Sequence, residues 1–136
     1  YFPNDGVRRM QLNAFTNEDE FAQINGVLLE PKSRGAVSIV SKDPFADPLV
    51  ELRLFSDGFV SDFGSDAYTL ASFLKISKLI AAQAGDTVVE PSPAQFASDD
   101  ELFDYINKNL IVWGQWTGTT RMAFSPVDGV VDGNLN

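Results

Sequence analysis

The chain has 136 residues, a net charge of −9, 44% hydrophobic residues and eleven Phe, enough for one domain with one core. An acidic surface repels both a phosphate backbone and an anionic leaflet, so neither nucleic acid nor a membrane is an expected partner. Cys and His are both absent, which excludes disulfides, thiol catalysis, thiolate metal sites and the usual neutral-pH general base; no metal site is expected.

The first half reads as strands. Residues 7–15 alternate Met10, Leu12 and Ala14 against Arg9, Gln11 and Asn13, the period of a half-buried strand. Residues 17–20 are an acidic turn, and residues 21–29 a second strand. Asn25-Gly26 inside that strand is a tight hairpin, a bulge or a point of close backbone approach. Residues 31–35 are a turn, with Lys32 and Arg34 expected in solvent. Residues 36–41 are a third strand and residues 49–55 a fourth. Between them, Asp43-Pro44 and Asp47-Pro48 bracket a stiff loop, because Pro fixes its own φ and restricts its predecessor. Residues 56–64 form a Gly-rich polar loop whose Phe59 and Phe63 are expected to tuck into the core.

The second half reads as helices. Ser65 or Asp66 caps a helix running to about Gln83, with Thr69, Phe73, Ile76 and Ile80 at helical spacing, Leu70 and Leu74 beside them, and Gly85 as its stop. Ser98 and Glu101 have capping-box spacing, and Leu102, Tyr105, Ile106 and Leu110 give the second helix an apolar stripe. Strands followed by helices imply an α+β fold, an antiparallel sheet with helices packed on one face. The segment 111–122 holds the densest chemistry: Trp113, Gln115 and Trp116 among glycines that let a backbone approach a ligand closely. A ligand-facing role and plain core packing both fit these residues.

Several segments, in order, resemble the C-terminal domain of glucose–methanol–choline (GMC) flavoprotein oxidoreductases. Leu29-Glu30-Pro31-Lys32-Ser33-Arg34-Gly35-Ala36-Val37 is similar to that family's P-x-S-R-G-x-V hairpin. Ser41-Lys42-Asp43-Pro44, Pro48 and Leu54-Phe55-Ser56 resemble its S-x-D-P…P-x-I…Y-L-S run. Ser98-Asp99-Asp100-Glu101-Leu102 with Tyr105-Ile106, then Gly118-Thr119-Thr120-Arg121-Met122 and Val131-Asp132, complete the set from about residue 21 to 136.

The resemblance implies a single domain over 1–136, a partial substrate-binding domain whose sheet faces a flavin. No G-x-G-x-x-G phosphate loop occurs in the sequence, so the FAD-binding domain of the same parent chain is the implied partner. FAD belongs to the parent, and none is expected on this chain alone. The implied function is substrate binding in an FAD-dependent, choline-like alcohol oxidoreductase, inactive as an isolated fragment. The alternatives are a divergent GMC-fold protein with lyase or no redox activity, and a non-catalytic binding module. Gln115 occupies the family's catalytic His position, and the second catalytic position, a His or Asn, falls beyond Asn136. A Gln amide donates and accepts hydrogen bonds but takes up no proton near neutral pH. Trp113 and Trp116 are the implied substrate-binding residues, with an aromatic wall suited to a cationic alcohol. Gly118 and Thr119 are the implied flavin contacts. Arg121 is expected in a salt bridge within the domain. A chain that starts at Tyr1 and lacks a visible signal peptide is expected to be a cytoplasmic fragment, with an exposed apolar face able to drive homodimerisation.

Overall fold

The computed structural model describes residues 10–16, 22–85, 90–112, 114, 120–125 and 127–136. Strand β1 (Met10–Thr16) pairs antiparallel with β2 (Ala22–Leu28), with Met10 opposite Leu28 and Leu12 opposite Gly26. Strand β3 (Ala36–Ser38) pairs antiparallel with β4 (Leu49–Glu51), with Ala36 opposite Glu51. Helix α1 spans Asp66–Ala84 and α2 spans Asp99–Asn109, with a short 3-10 turn at Pro93–Phe96 between them. The α+β class and the order of elements are as the sequence predicts. The strands, however, form two separate two-stranded ladders among the described residues. β2 touches α1, whereas β3–β4 contacts neither helix nor the other ladder.

Strands three and four are shorter than alternation predicts. β4 stops at Glu51 because Arg53 (φ 47°) and Phe55 (φ 57°) adopt left-handed backbone, which side chains with a Cβ seldom occupy and which breaks an extended ladder. The Asn25-Gly26 alternative resolves in favour of close approach. Gly26 lies mid-ladder, and a Cβ there would sit 2.5 Å from the Phe73 ring of α1. Only glycine lets this strand lie so close to the helix.

Both helices begin where their caps predict. Ser65 is the N-cap of α1, its Oγ accepting from the Tyr68 N–H at 2.9 Å and donating to the Phe59 carbonyl at 2.7 Å. Gly85 closes the helix at φ 83°, its N–H donating to the Ala82 carbonyl, the left-handed stop glycine favours. Ser98 caps α2 through the Glu101 N–H at 3.1 Å. A reciprocal arrangement is found at the 3-10 turn, where Gln95 Oε1 accepts from the Ser92 N–H.

The core lies between the helices. Ala67, Ala71, Leu102 and Ile106 are buried there with Val60, and Phe55, Phe59, Leu70, Leu74, Phe96 and Phe103 pack around them. Phe59 stacks on Phe103 at 4.5 Å between centroids, as expected of a loop aromatic tucked inward. Phe63 departs from that expectation: it is exposed, its ring tilted against that of Tyr68 at 5.1 Å between centroids. The predicted stripe on α1 is buried only in its first half. α2, at about 16 Å, cannot cover the roughly 28 Å of α1, and Leu79 and Ile80 are left in solvent. No helix among the described residues is long and apolar enough to cross a membrane.

Candidate functional site

Trp113, Gln115, Trp116, Gly118 and Thr119 lie outside the described residues. Their flanks are described. Leu110 leaves α2 in an extended conformation, and Ile111, Val112 and Gly114 follow on the surface, with open space around the missing Gly114 Cβ. On the far side, Thr120, Arg121 and Met122 are also exposed. The chain therefore leaves and re-enters the described structure at the surface on both sides of the predicted site.

Beyond Met122 the backbone folds onto itself. Met122 bridges Val131 in parallel register, the Ala123 N–H donates to the Val131 carbonyl at 2.9 Å, and the Val130 N–H donates to the Arg121 carbonyl at 2.9 Å. Gly129 permits this: a Cβ there would meet the Arg121 carbonyl at 2.7 Å. Arg121 spans the same turn, its Nε donating to the Asp128 carbonyl and its Nη2 lying 3.9 Å from the Asp128 carboxylate. The expected internal salt bridge is thus present, long and exposed, and of the kind that contributes little. Asp132 accepts from the N–H groups of Asn134 at 2.8 Å and Asn136 at 3.0 Å. These bonds, Asn136 first, hold its carboxyl below the ordinary range.

A cavity of about 260 Å³ opens beside this turn, lined by Ala123, Phe124, Ser125, Val130, Asp132 and Asn136 among others. Its size falls below the roughly 300–1,000 Å³ of ordinary small-molecule pockets. Its lining offers a carboxylate and no cation, a poor match to a pyrophosphate. This cavity is therefore not a dinucleotide cradle. The described residues contain no group of three or more His, Cys, Asp or Glu able to hold a metal.

The described part of the motif set best defined by its contacts is the turn at 31–35. Asp66, the first residue of α1, is 3% exposed. Its Oδ1 accepts from the Lys32 N–H and its Oδ2 from the Ser33 N–H, both at 2.8 Å. Asp57 joins the cluster, accepting from Ser33 Oγ at 2.9 Å and from the Asp66 N–H at 2.9 Å. Lys32 Nζ donates to the Gly64 carbonyl at 2.7 Å, which corrects the expectation that this lysine is simply solvated. Arg34 folds back onto the Pro31 and Ser33 carbonyls, so it too is engaged, though exposed. Gly35 sits against β4, where a Cβ would meet the Glu51 carbonyl at 2.3 Å. Sequence reasoning found the turn but not its carboxylate partners. Asp57 lies 24 residues away and Asp66 33 and 34, and the only local signal was an acid at a helix start, which the helix dipole explains unaided.

In α2, burial raises the Tyr105 phenol above its usual range, with Glu90 adding to the effect.

The family model described as GMC oxidoreductase matches residues 31–136. Fatty acid photodecarboxylase, chloroplastic, of Chlamydomonas reinhardtii is 31% identical over 107 residues, 76% of this chain and 16% of that protein. Pyranose dehydrogenase 2 of Leucoagaricus meleagris is 26% identical over 125 residues, 89% of this chain and 20% of that protein. Ecdysone oxidase of Bombyx mori is 45% identical over 47 residues, 35% of this chain and 7% of that protein. The chain thus spans a fifth or less of the length of these relatives. No solved structure matches it.

Proposed function

The chain belongs to the GMC oxidoreductase family, and we propose that it is the C-terminal, substrate-binding part of an FAD-dependent alcohol oxidoreductase, inactive without the rest of that protein. The observation that carries this reading is the family match over 31–136, in which the P-x-S-R-G turn, the α2 start and the G-T-x-R-M run fall in order. Relatives named as a dehydrogenase and an oxidase support the reaction class.

When bound, FAD supplies the two-electron acceptor. The FAD-binding domain of the parent would hold its nucleotide, with Gly118 and Thr119 of this chain as flavin contacts. Gln115 would orient the substrate hydroxyl by donating and accepting hydrogen bonds, while proton uptake falls to another group. On an extended segment Trp113 and Gln115 share one face and Trp116 takes the other, so Trp113 would wall the substrate pocket beside Gln115. An aromatic wall within a chain of charge −9 suits a cationic alcohol such as choline.

The second reading is a family member with lyase activity or no redox activity. It is favoured by Gln115 at the catalytic position and by a relative named as a photodecarboxylase.

Anaerobic mixing of the parent flavoprotein with a panel of alcohols that includes choline separates the two. Bleaching of the oxidised-flavin band is expected, with choline among the active alcohols. A flavin that stays oxidised across the panel favours the second reading. Gln115→Ala with unchanged turnover removes the orienting role while leaving the reaction class in place.

A further inference from the structure

We infer that Asp66 and Asp57 form a polar latch that makes the β3–β4 ladder a separate opening unit, an arm fastened to the helical body through the 31–35 turn. The inference rests on the contacts alone and is independent of the flavoprotein reading.

Three observations carry it. First, the β3–β4 backbone approaches no other strand or helix among the described residues. Its Val37, Leu49 and Val50 side chains are exposed, and in the loop that joins the strands Ile39 is 90% and Phe45 93% exposed. Second, the attachment is polar on one stem and aromatic on the other. On the first stem, the Asp66 carboxylate takes the Lys32 and Ser33 N–H groups at 2.8 Å, and Asp57 ties Ser33 Oγ to the Asp66 N–H. On the second, Phe55 packs edge-on to Phe103 at 5.4 Å. Third, the latch is continuous with the ladder. Gly35 follows Ser33 by two residues and lies directly on the β4 backbone, so motion of the turn moves the pairing itself.

The physics favours a latch over a passive contact. Hydrogen bonds to a carboxylate are among the stronger ones, and two N–H groups of the turn share the Asp66 carboxylate. The ladder brings no fully buried apolar side chain to resist opening, and such segments occupy the low end of local stability.

Native-state hydrogen exchange on this chain tests the inference. In Asp66→Ala, the amides of Lys32, Ser33, β3 and β4 are expected to exchange roughly 10- to 100-fold faster, while the α2 amides from Leu102 to Ile106 keep their protection. Unchanged exchange in β3–β4 overturns the inference. Equal acceleration in the arm and in α2 also overturns it, because the two would then open as one unit. Ser33→Ala keeps the helix start intact and decides the matter if Asp66→Ala does not fold. Roughly 2- to 10-fold acceleration confined to 32–38 and 49–51 is expected, and no acceleration there overturns the latch.

Discussion

The α1–α2 body and the β3–β4 arm are built from similarly apolar sequence, yet one is a core and the other a surface. In the body, Ala67, Ala71, Leu102 and Ile106 lie on helical faces that meet, and they are buried. In the arm, Val37, Leu49 and Val50 lie on a ladder three residue pairs long, Ile39 follows it, and all four are exposed. Period-2 alternation sends side chains to both faces of a ladder, so each face needs its own cover. Helical spacing collects them on one stripe, which a single neighbour satisfies. Apolar composition thus supplies the material of a core, and the geometry of the element decides whether this chain can complete it.

The sharpest way to break that contrast is Leu102→Ala. Leu102 is 1% exposed, and its truncation should cost about 2–5 kcal/mol, read as a lower denaturant midpoint; a loss below about 1 kcal/mol would mean the body is not close-packed. Gly26→Ala comes next. Its methyl would overlap the Phe73 ring, at a cost of about 1–3 kcal/mol, with β1–β2 amides losing protection before those of α2. Ile39→Ser in the arm should leave stability within about 0.5 kcal/mol and reduce any self-association seen by sedimentation, since it removes apolar surface from a face with no internal partner. A large destabilisation would mean that Ile39 is covered in solution. The smallest effect concerns Asp132. Its carboxyl titrates below the ordinary range because Asn136 and Asn134 donate to the charged form. The turn at 132–136 is therefore favoured above the ordinary Asp pKa, about 3.9, and this favour is lost as pH falls through the lowered value. An Asp132 chemical-shift titration with an ordinary midpoint would remove those bonds.

Much of the body was legible because its signals are local. Ser65, Gly85 and Ser98 act within one turn of themselves, and each ends or starts a helix where predicted. The strands were overdrawn, because alternation continues past Glu51 while the backbone turns left-handed at Arg53 and Phe55. The latch was not legible, since Asp57 lies 24 residues and Asp66 33 and 34 residues from their partners in the turn, and no local pattern pairs the two segments. The order of the family motifs was readable and is matched by the family comparison. The residues argued to bear the chemistry, Trp113, Gln115 and Trp116, fall outside the described structure, so their roles rest on motif position alone.

The contact between Gly26 and Phe73 has one more consequence. Of the two glycine α-protons, the one in the Cβ direction points at the aromatic ring, so it sits inside the ring current more deeply than the other. Their resonances should stand apart from those of other glycines and from each other. They then form a built-in spectroscopic marker, needing no label beyond the native chain, of whether the first ladder remains seated on the long helix as temperature, denaturant or a binding partner is varied.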